Sequence, residues 1–170
     1  MLSSILNLNV LLLTKYKIYI ITKMHNLTEH FTLEELTYSY TAKQYNIDNR
    51  PNKFQISELT RLCKNILEPI RQKTGKPIII SSGYRCKELN DRIGGAKNSL
   101  HCDGDAVDIK IKPSNSELMK IIPQMISNNE IELRTCIFEK CNKSKTDCVW
   151  VHLDINNKTH SYRKNKIIYN

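Results

Sequence analysis

Three things are scarce in this chain. Its six cysteines contain no C-x-x-C pair. Cys136, Cys141 and Cys148 gather around one lysine-rich stretch, but no fourth ligand stands at a spacing that would complete a thiolate zinc knuckle. Free thiols in a reducing compartment are therefore expected, with a Cys141–Cys148 disulfide clipping that stretch as the alternative. Long apolar runs are also missing. Ile5 to Leu13 is interrupted by Asn7 and Asn9, and Lys15 and Lys17 precede Ile18 to Ile21, which is too broken for a spanning helix. No basic segment precedes this apolar stretch and no clear small-residue cleavage site follows, so a signal peptide is not expected either. Residues 1–23 read as an upstream translation extension or a weak membrane-associating tail, and stable membrane insertion is not expected.

Acidic residues are the third shortage. Lys and Arg number 26 against 17 Asp and Glu, a net charge of +9. A basic surface favours anionic partners such as nucleic acid, acidic lipid or a carboxylate-rich wall polymer. A coding bias toward lysine, asparagine and isoleucine accounts for the excess equally well. With no arginine-rich run and no interleaved aromatic platform, nucleic acid is not an expected partner.

What is present suffices for one core of ordinary size: 170 residues, 40% of them hydrophobic. Thr32-Leu33-Glu34-Glu35 reads as a capping box opening a short helix. Ser57 is expected to cap a longer one, whose Ile56, Leu59, Leu62, Cys63, Ile66, Leu67 and Ile70 recur at three- and four-residue spacing and form a core face. Pro69 should end or kink it near Glu68. Gly75-Lys76-Pro77 turns the chain into a first strand at Ile78 to Ser81. A later helix starts at Asn115 or Ser116 and contains Pro123. Glu132 to Phe138 reads as a strand, and the last residues as a polar turn with a final short strand or tail.

The chemistry concentrates between Ser81 and Ile109. Ala106 to Ile111 has the β-branched content of a strand. Alternation places Val107 and Ile109 on one face and Asp108 on the other. A carboxylate among apolar neighbours is costly unless paired or bound to a metal. His101 stands seven residues before it, and His152 lies mid-strand in Val149 to Asp154. His101, Asp108 and His152 make a two-imidazole, one-carboxylate set of the kind that holds a catalytic zinc with one open position. Spacing alone leaves open the plainer reading of a core histidine and a turn aspartate.

The run Ser99 to Asp108, SLHCDGDAVD, resembles the S-x-H-x-x-G-x-A-x-D motif of zinc D-Ala-D-Ala carboxypeptidases and related phage endolysin peptidases. These share a fold with the Hedgehog signalling domain. Ser82-Gly83-Tyr84-Arg85, Leu89-Asn90 and Gly94-Gly95 are similar to the family's S-G-Y-R, L-N and G-G segments, and Trp150-Val151-His152 to its closing W-[VI]-H. Phe31 to Ser39 resembles the family's opening F-T-x-x-E-L-x-x-S, and Met24 begins a segment that fits the family's start. The likeness spans roughly Phe31 to Asp154, with the motifs in family order.

That resemblance implies an α+β fold, helices packed on a small, mainly antiparallel sheet with a zinc cleft, formed by one domain over residues 24–170. It implies one Zn2+ on His101, Asp108 and His152. It implies that Arg85 holds a substrate carboxylate, a role that suits the planar guanidinium fork. Ser82 and Ser99 are candidates for hydrogen bonds to substrate or for bracing the loops, and Gly94-Gly95 for close backbone approach to the site. The general base is expected at Glu139, which ends a strand loosely similar to the family's F-D-x-[LV]-I-x-E. A departure follows: Lys140 to Cys148 lengthens the gap to His152 to 13 positions. If that stretch does not loop out, Asp147 is the alternative base. Asp154 is either a partner orienting a ligand histidine or a solvated strand end, the latter being the default. His25, His30 and His160 are expected to hold no metal.

The expected activity is hydrolysis of peptide bonds in bacterial peptidoglycan, at a D-Ala-D-Ala terminus or an L-Ala-D-Glu-type bond, by a monomer. An endolysin in the host cytoplasm before lysis, or a virion-associated lysin, suits such a chain. Two other readings remain: a zinc-bearing but inactive Hedgehog-like binding module, and a basic nucleic-acid-binding protein supported by net charge alone.

Overall fold

The computed structural model describes residues 26–155 and 165–170. The segment 1–23, His25 and His160 lie outside the described residues. Helix α1 (Leu33–Thr37) opens on the expected capping box: Glu35 N donates to Thr32 Oγ1 at 3.2 Å, and Thr32 N donates to Glu35 Oε2 at 2.9 Å. Helix α2 (Tyr40–Gln44) is capped by Ser39.

The long apolar-faced helix starts earlier than Ser57. Helix α3 (Lys53–Leu62) is capped by Asn52, whose side chain accepts from Gln55 N while Gln55 Oε1 accepts from Asn52 N. This reciprocal pair satisfies two of the orphan N–H groups at the helix start, and Ser57 sits exposed inside the helix. Nor does the chain stop at Glu68. It passes through a π-helical turn, Cys63–Leu67, and continues as α4 (Glu68–Thr74). Pro69 falls in the first turn of α4, and the wider turn before it absorbs the helical slip. Leu59, Leu62, Cys63, Ile66, Leu67 and Ile70 are all buried, as the spacing predicts.

Strand β1 (Ile79–Ser82) follows, then α5 (Lys87–Arg92), a single 3-10 turn Leu100–Cys102, β2 (Ala106–Lys110), α6 (Ser116–Ser127), β3 (Thr135–Glu139), β4 (Trp150–Asp154) and β5 (Lys166–Tyr169). Asn115 precedes α6 but does not cap it. Its amide donates to the carbonyls of Cys148 and Val149 and accepts from Ile111 N, tying the end of β2 to the approach to β4. The strand order is β1-β2-β4-β3-β5, antiparallel except where β5 runs parallel to β3. This is the mixed architecture, helices on a mainly antiparallel sheet, that the sequence implied.

One sheet face carries Val107, Ile109, Cys136, Phe138, Val151 and Leu153, all buried in the core with Leu59, Leu62, Leu118 and Ile122. Burying each such side chain is worth about 1.5–3 kcal/mol. Period-two alternation therefore delivers Asp108, Ile137, Glu139, Trp150 and His152 to the opposite face. The six cysteines are free thiols. No helix among the described residues is long and apolar enough to cross a membrane.

Candidate metal centre

The site is assembled by strand register. Asp108 stands opposite His152 across β2 and β4, and Ile137 stands opposite His152 across β3 and β4. Directly opposed residues share a face and come close. Asp108 Oδ1 lies 2.8 Å from His152 Nδ1. His101 reaches the same point from the 3-10 turn, its Nε2 3.3 Å from His152 Nδ1 and 3.5 Å from Asp108 Oδ1.

His101 is 2% exposed, and its Nδ1 lies 2.7 Å from the carbonyl of Gly83. A carbonyl only accepts, so Nδ1 carries the proton and Nε2 presents a lone pair to the site. Gly83 is required there. A Cβ on it would fall 2.2 Å from the carbonyl oxygen of Leu36, which accepts from Tyr84 N. The S-G-Y-R turn is thus pressed against the end of α1, and its carbonyl aims at the imidazole.

His152 is held from its other nitrogen. Nε2 lies 3.4 Å from Asp154 Oδ2, and Asp154 Oδ2 lies 3.1 Å from Arg134 Nη1. Asp154 is 4% exposed, so it is not a solvated strand end. It is the orienting partner of a histidine, the outer contact that fixes ring and tautomer in metal sites. Arg134 carries no role that its sequence position predicts. Nothing in the local sequence marks it, because its link to the site runs through Asp154, twenty residues away.

The electrostatics agree with this geometry. Burial opposes charge on Asp108, but His101 and His152 outweigh it and hold the carboxyl well below its usual range. Burial also opposes charge on His152, yet Asp108 and Asp154 push the imidazole up to about 9. Burial pulls His101 down. Two imidazole nitrogens and one carboxylate oxygen lie within 4.8 Å of one another and could share one ion. The pairing of His152 Nδ1 with Asp108 Oδ1 favours a proton between them, which leaves when an ion takes the nitrogen. The donor set is that of a three-ligand zinc site with an open position, and the residues fit the ion.

This point lies in a cleft of about 550 Å³, also lined by Arg85, Ser99, Glu139, Trp150 and Arg134. Arg85 Nη2 donates to Ser99 Oγ at 3.4 Å, and its backbone N–H donates to His101 O. Arg85 Nε is buried with no hydrogen-bond partner among the described residues, a polar deficit of the sort that calls for a reason. Gly94 and Gly95 also line the cleft. A Cβ on Gly95 would collide with the buried side chain of Asn90, so its smallness serves that packing. Ser82 does not line this cleft. It borders an adjoining groove.

A family model described as Peptidase M15 matches residues 29–140. The chain belongs to the peptidase M15 family. Members of this family are zinc metallopeptidases, and His101, Asp108 and His152 could hold the ion here. The match ends at Lys140, so His152 enters the M15 site through the β4 register and not through the matched segment. No curated protein matches the chain.

The stretch after the match loops out of the M15 sheet. Val149 N donates to Glu139 O at 2.9 Å, and Glu139 pairs with Trp150, so residues 140–149 close on a narrow neck. Glu139 lines the cleft on the ligand face and takes a hydrogen bond from Asn170 Nδ2 at 3.2 Å. Asp147 lies in the loop, accepts from Cys148 N, and does not line the cleft.

Proposed function

We propose that this chain is a zinc peptidase that hydrolyses peptide bonds of bacterial peptidoglycan. The observation that carries the proposal is the meeting of His101 Nε2, Asp108 Oδ1 and His152 Nδ1 in an open cleft that also contains a carboxylate, Glu139, and a guanidinium, Arg85.

When bound, zinc supplies Lewis acidity toward a carbonyl and lowers the pKa of water. The chain's own residues do the rest. Glu139 takes a proton from the attacking water and delivers it to the leaving amine. Across the reaction the C–N bond breaks, the acyl carbon gains OH and the nitrogen gains H. Arg85 meets a substrate carboxylate with two parallel N–H donors, and that fork fixes the substrate's orientation. Ser99 steadies the guanidinium. Asp154 and the Gly83 carbonyl hold the two imidazoles by their outer nitrogens. The bond cut is a D-Ala-D-Ala terminus or an L-Ala-D-Glu-type linkage, and an endolysin or virion-associated lysin is the fitting biological setting.

The test is incubation of the zinc-loaded protein with purified sacculi, with and without EDTA, followed by mass spectrometry of released products. New amines that disappear with EDTA are expected. Zinc binding without release of any peptide would return the chain to the inactive binding-module reading.

A further inference from the structure

Glu139 sits where the sheet gives way to loop. It is the last residue of β3, and Lys140 after it leaves the strand at a φ of 51°. Groups on loops and at element ends are held less firmly than those inside strands. Misplacing a reacting group by about 1 Å can cost about 10²-fold in rate. A base at this position needs a holder.

Asn170 stands in the place to be one. Parallel pairing sets Thr135 against Lys166 and Phe138 against Tyr169, so the residue after Tyr169 arrives beside Glu139. The backbone of Asn170 straddles the base. Its N–H donates to Phe138 O at 3.0 Å, and its carbonyl accepts from Cys141 N at 2.6 Å. Its side-chain Nδ2 donates to Glu139 Oε2 at 3.2 Å. The Tyr169 ring lies 5.0 Å from that of Phe138, which is buried in the core, so the strand leading to Asn170 is anchored there. None of β5 falls within residues 29–140, the segment that the M15 family model matches.

The chemistry of the group suits the task. An amide N–H fixes a carboxylate oxygen without adding the positive charge of lysine or arginine, which would oppose proton uptake by the base. From this we infer that Asn170 is a positioning residue: its amide holds the Glu139 carboxylate in the orientation from which it takes a proton from the attacking water. The inference rests on the peptidase reading above, with Glu139 as base, and gives β5 a part in the reaction.

A double-variant cycle tests it. The zinc-loaded full chain is assayed on soluble muropeptides, freed from sacculi by a muramidase, over a range of concentrations that separates kcat from KM. Asn170→Ala should lower kcat about tenfold, the low end for losing a hydrogen bond to a charged group. KM, zinc content and the urea midpoint should stay at wild-type values, because the backbone hydrogen bonds of Asn170 remain. Asn170→Asp, which replaces the donor with a second carboxylate, should lose at least as much. In Glu139→Gln, adding Asn170→Ala should lower the residual kcat no further, since the group being held has already lost its function. A wild-type kcat in Asn170→Ala, the same tenfold drop in both backgrounds, or a kcat loss matched by a fall in the urea midpoint overturns the inference and leaves the peptidase reading intact. Full activity in Glu139→Gln overturns it by removing the base, again with the peptidase reading intact. No peptide released by the wild type overturns both.

Discussion

Asp108 and His152 face each other across two antiparallel strands, 44 positions apart in sequence, with carboxylate and imidazole 2.8 Å apart. Neither residue is meaningful without the register between β2 and β4. A slip of one residue would carry one of them into the core. Asp108→Ala is expected to cost more zinc affinity than the 10–100-fold typical of losing an outer partner, and to abolish peptide release. Metal content after dialysis against a weak chelator checks it. Asp154→Asn should fall within that 10–100-fold range in the same titration.

Glu139→Gln should lower kcat by about 10²- to 10⁴-fold while the protein still binds one equivalent of zinc. Asp147→Asn should keep near wild-type turnover, because Asp147 lies in the loop and does not line the cleft. Steady-state rates and zinc titration on both variants decide the matter. Full activity in Glu139→Gln with loss in Asp147→Asn would reverse the assignment.

Gly83→Ala places a Cβ 2.2 Å from the Leu36 carbonyl oxygen. Overpacking of this kind costs about 1–3 kcal/mol, so the denaturant midpoint should fall. The strain also moves the carbonyl that holds His101, so zinc affinity should drop with it. A variant with the wild-type midpoint and wild-type zinc affinity would refute this account of the turn.

Glu68 offers a test away from the metal. Burial would raise its pKa, but the side-chain and backbone donors of His30, at 2.8 and 2.9 Å, outweigh burial and lower it. A carboxyl with a lowered folded pKa stabilises above its unfolded value, roughly 4.3, and loses that contribution as pH falls through the lower folded value. Glu68→Gln should therefore be about 1 kcal/mol less stable near neutrality, and the gap should close in strong acid. Urea melts across pH measure it.

The parts of the fold legible in the sequence are those set by local chemistry. The capping box at Thr32 and the apolar stripe from Leu59 to Ile70 needed only spacing. Asp108 stood out because a carboxylate between Val107 and Ile109 demands a partner. What escaped depended on contacts made at a distance. Asn52 outcompeted Ser57 as the cap because Gln55 answers it across one turn. Pro69 failed to stop the helix because a π turn before it took up the slip. Asp154 looked like a strand end until Arg134 and His152 were found closing over it, and β5 found its place only by pairing with β3.

The neck formed by Glu139 and Val149 has a practical consequence. Since two backbone hydrogen bonds, Val149 N to Glu139 O and Cys141 N to Asn170 O, and the adjoining Glu139–Trp150 pair hold the base of the loop, the tip from Asn142 to Thr146 is the part whose length or composition should change with least effect on the face that carries His152. That tip is a natural place to graft an affinity peptide or a fluorophore.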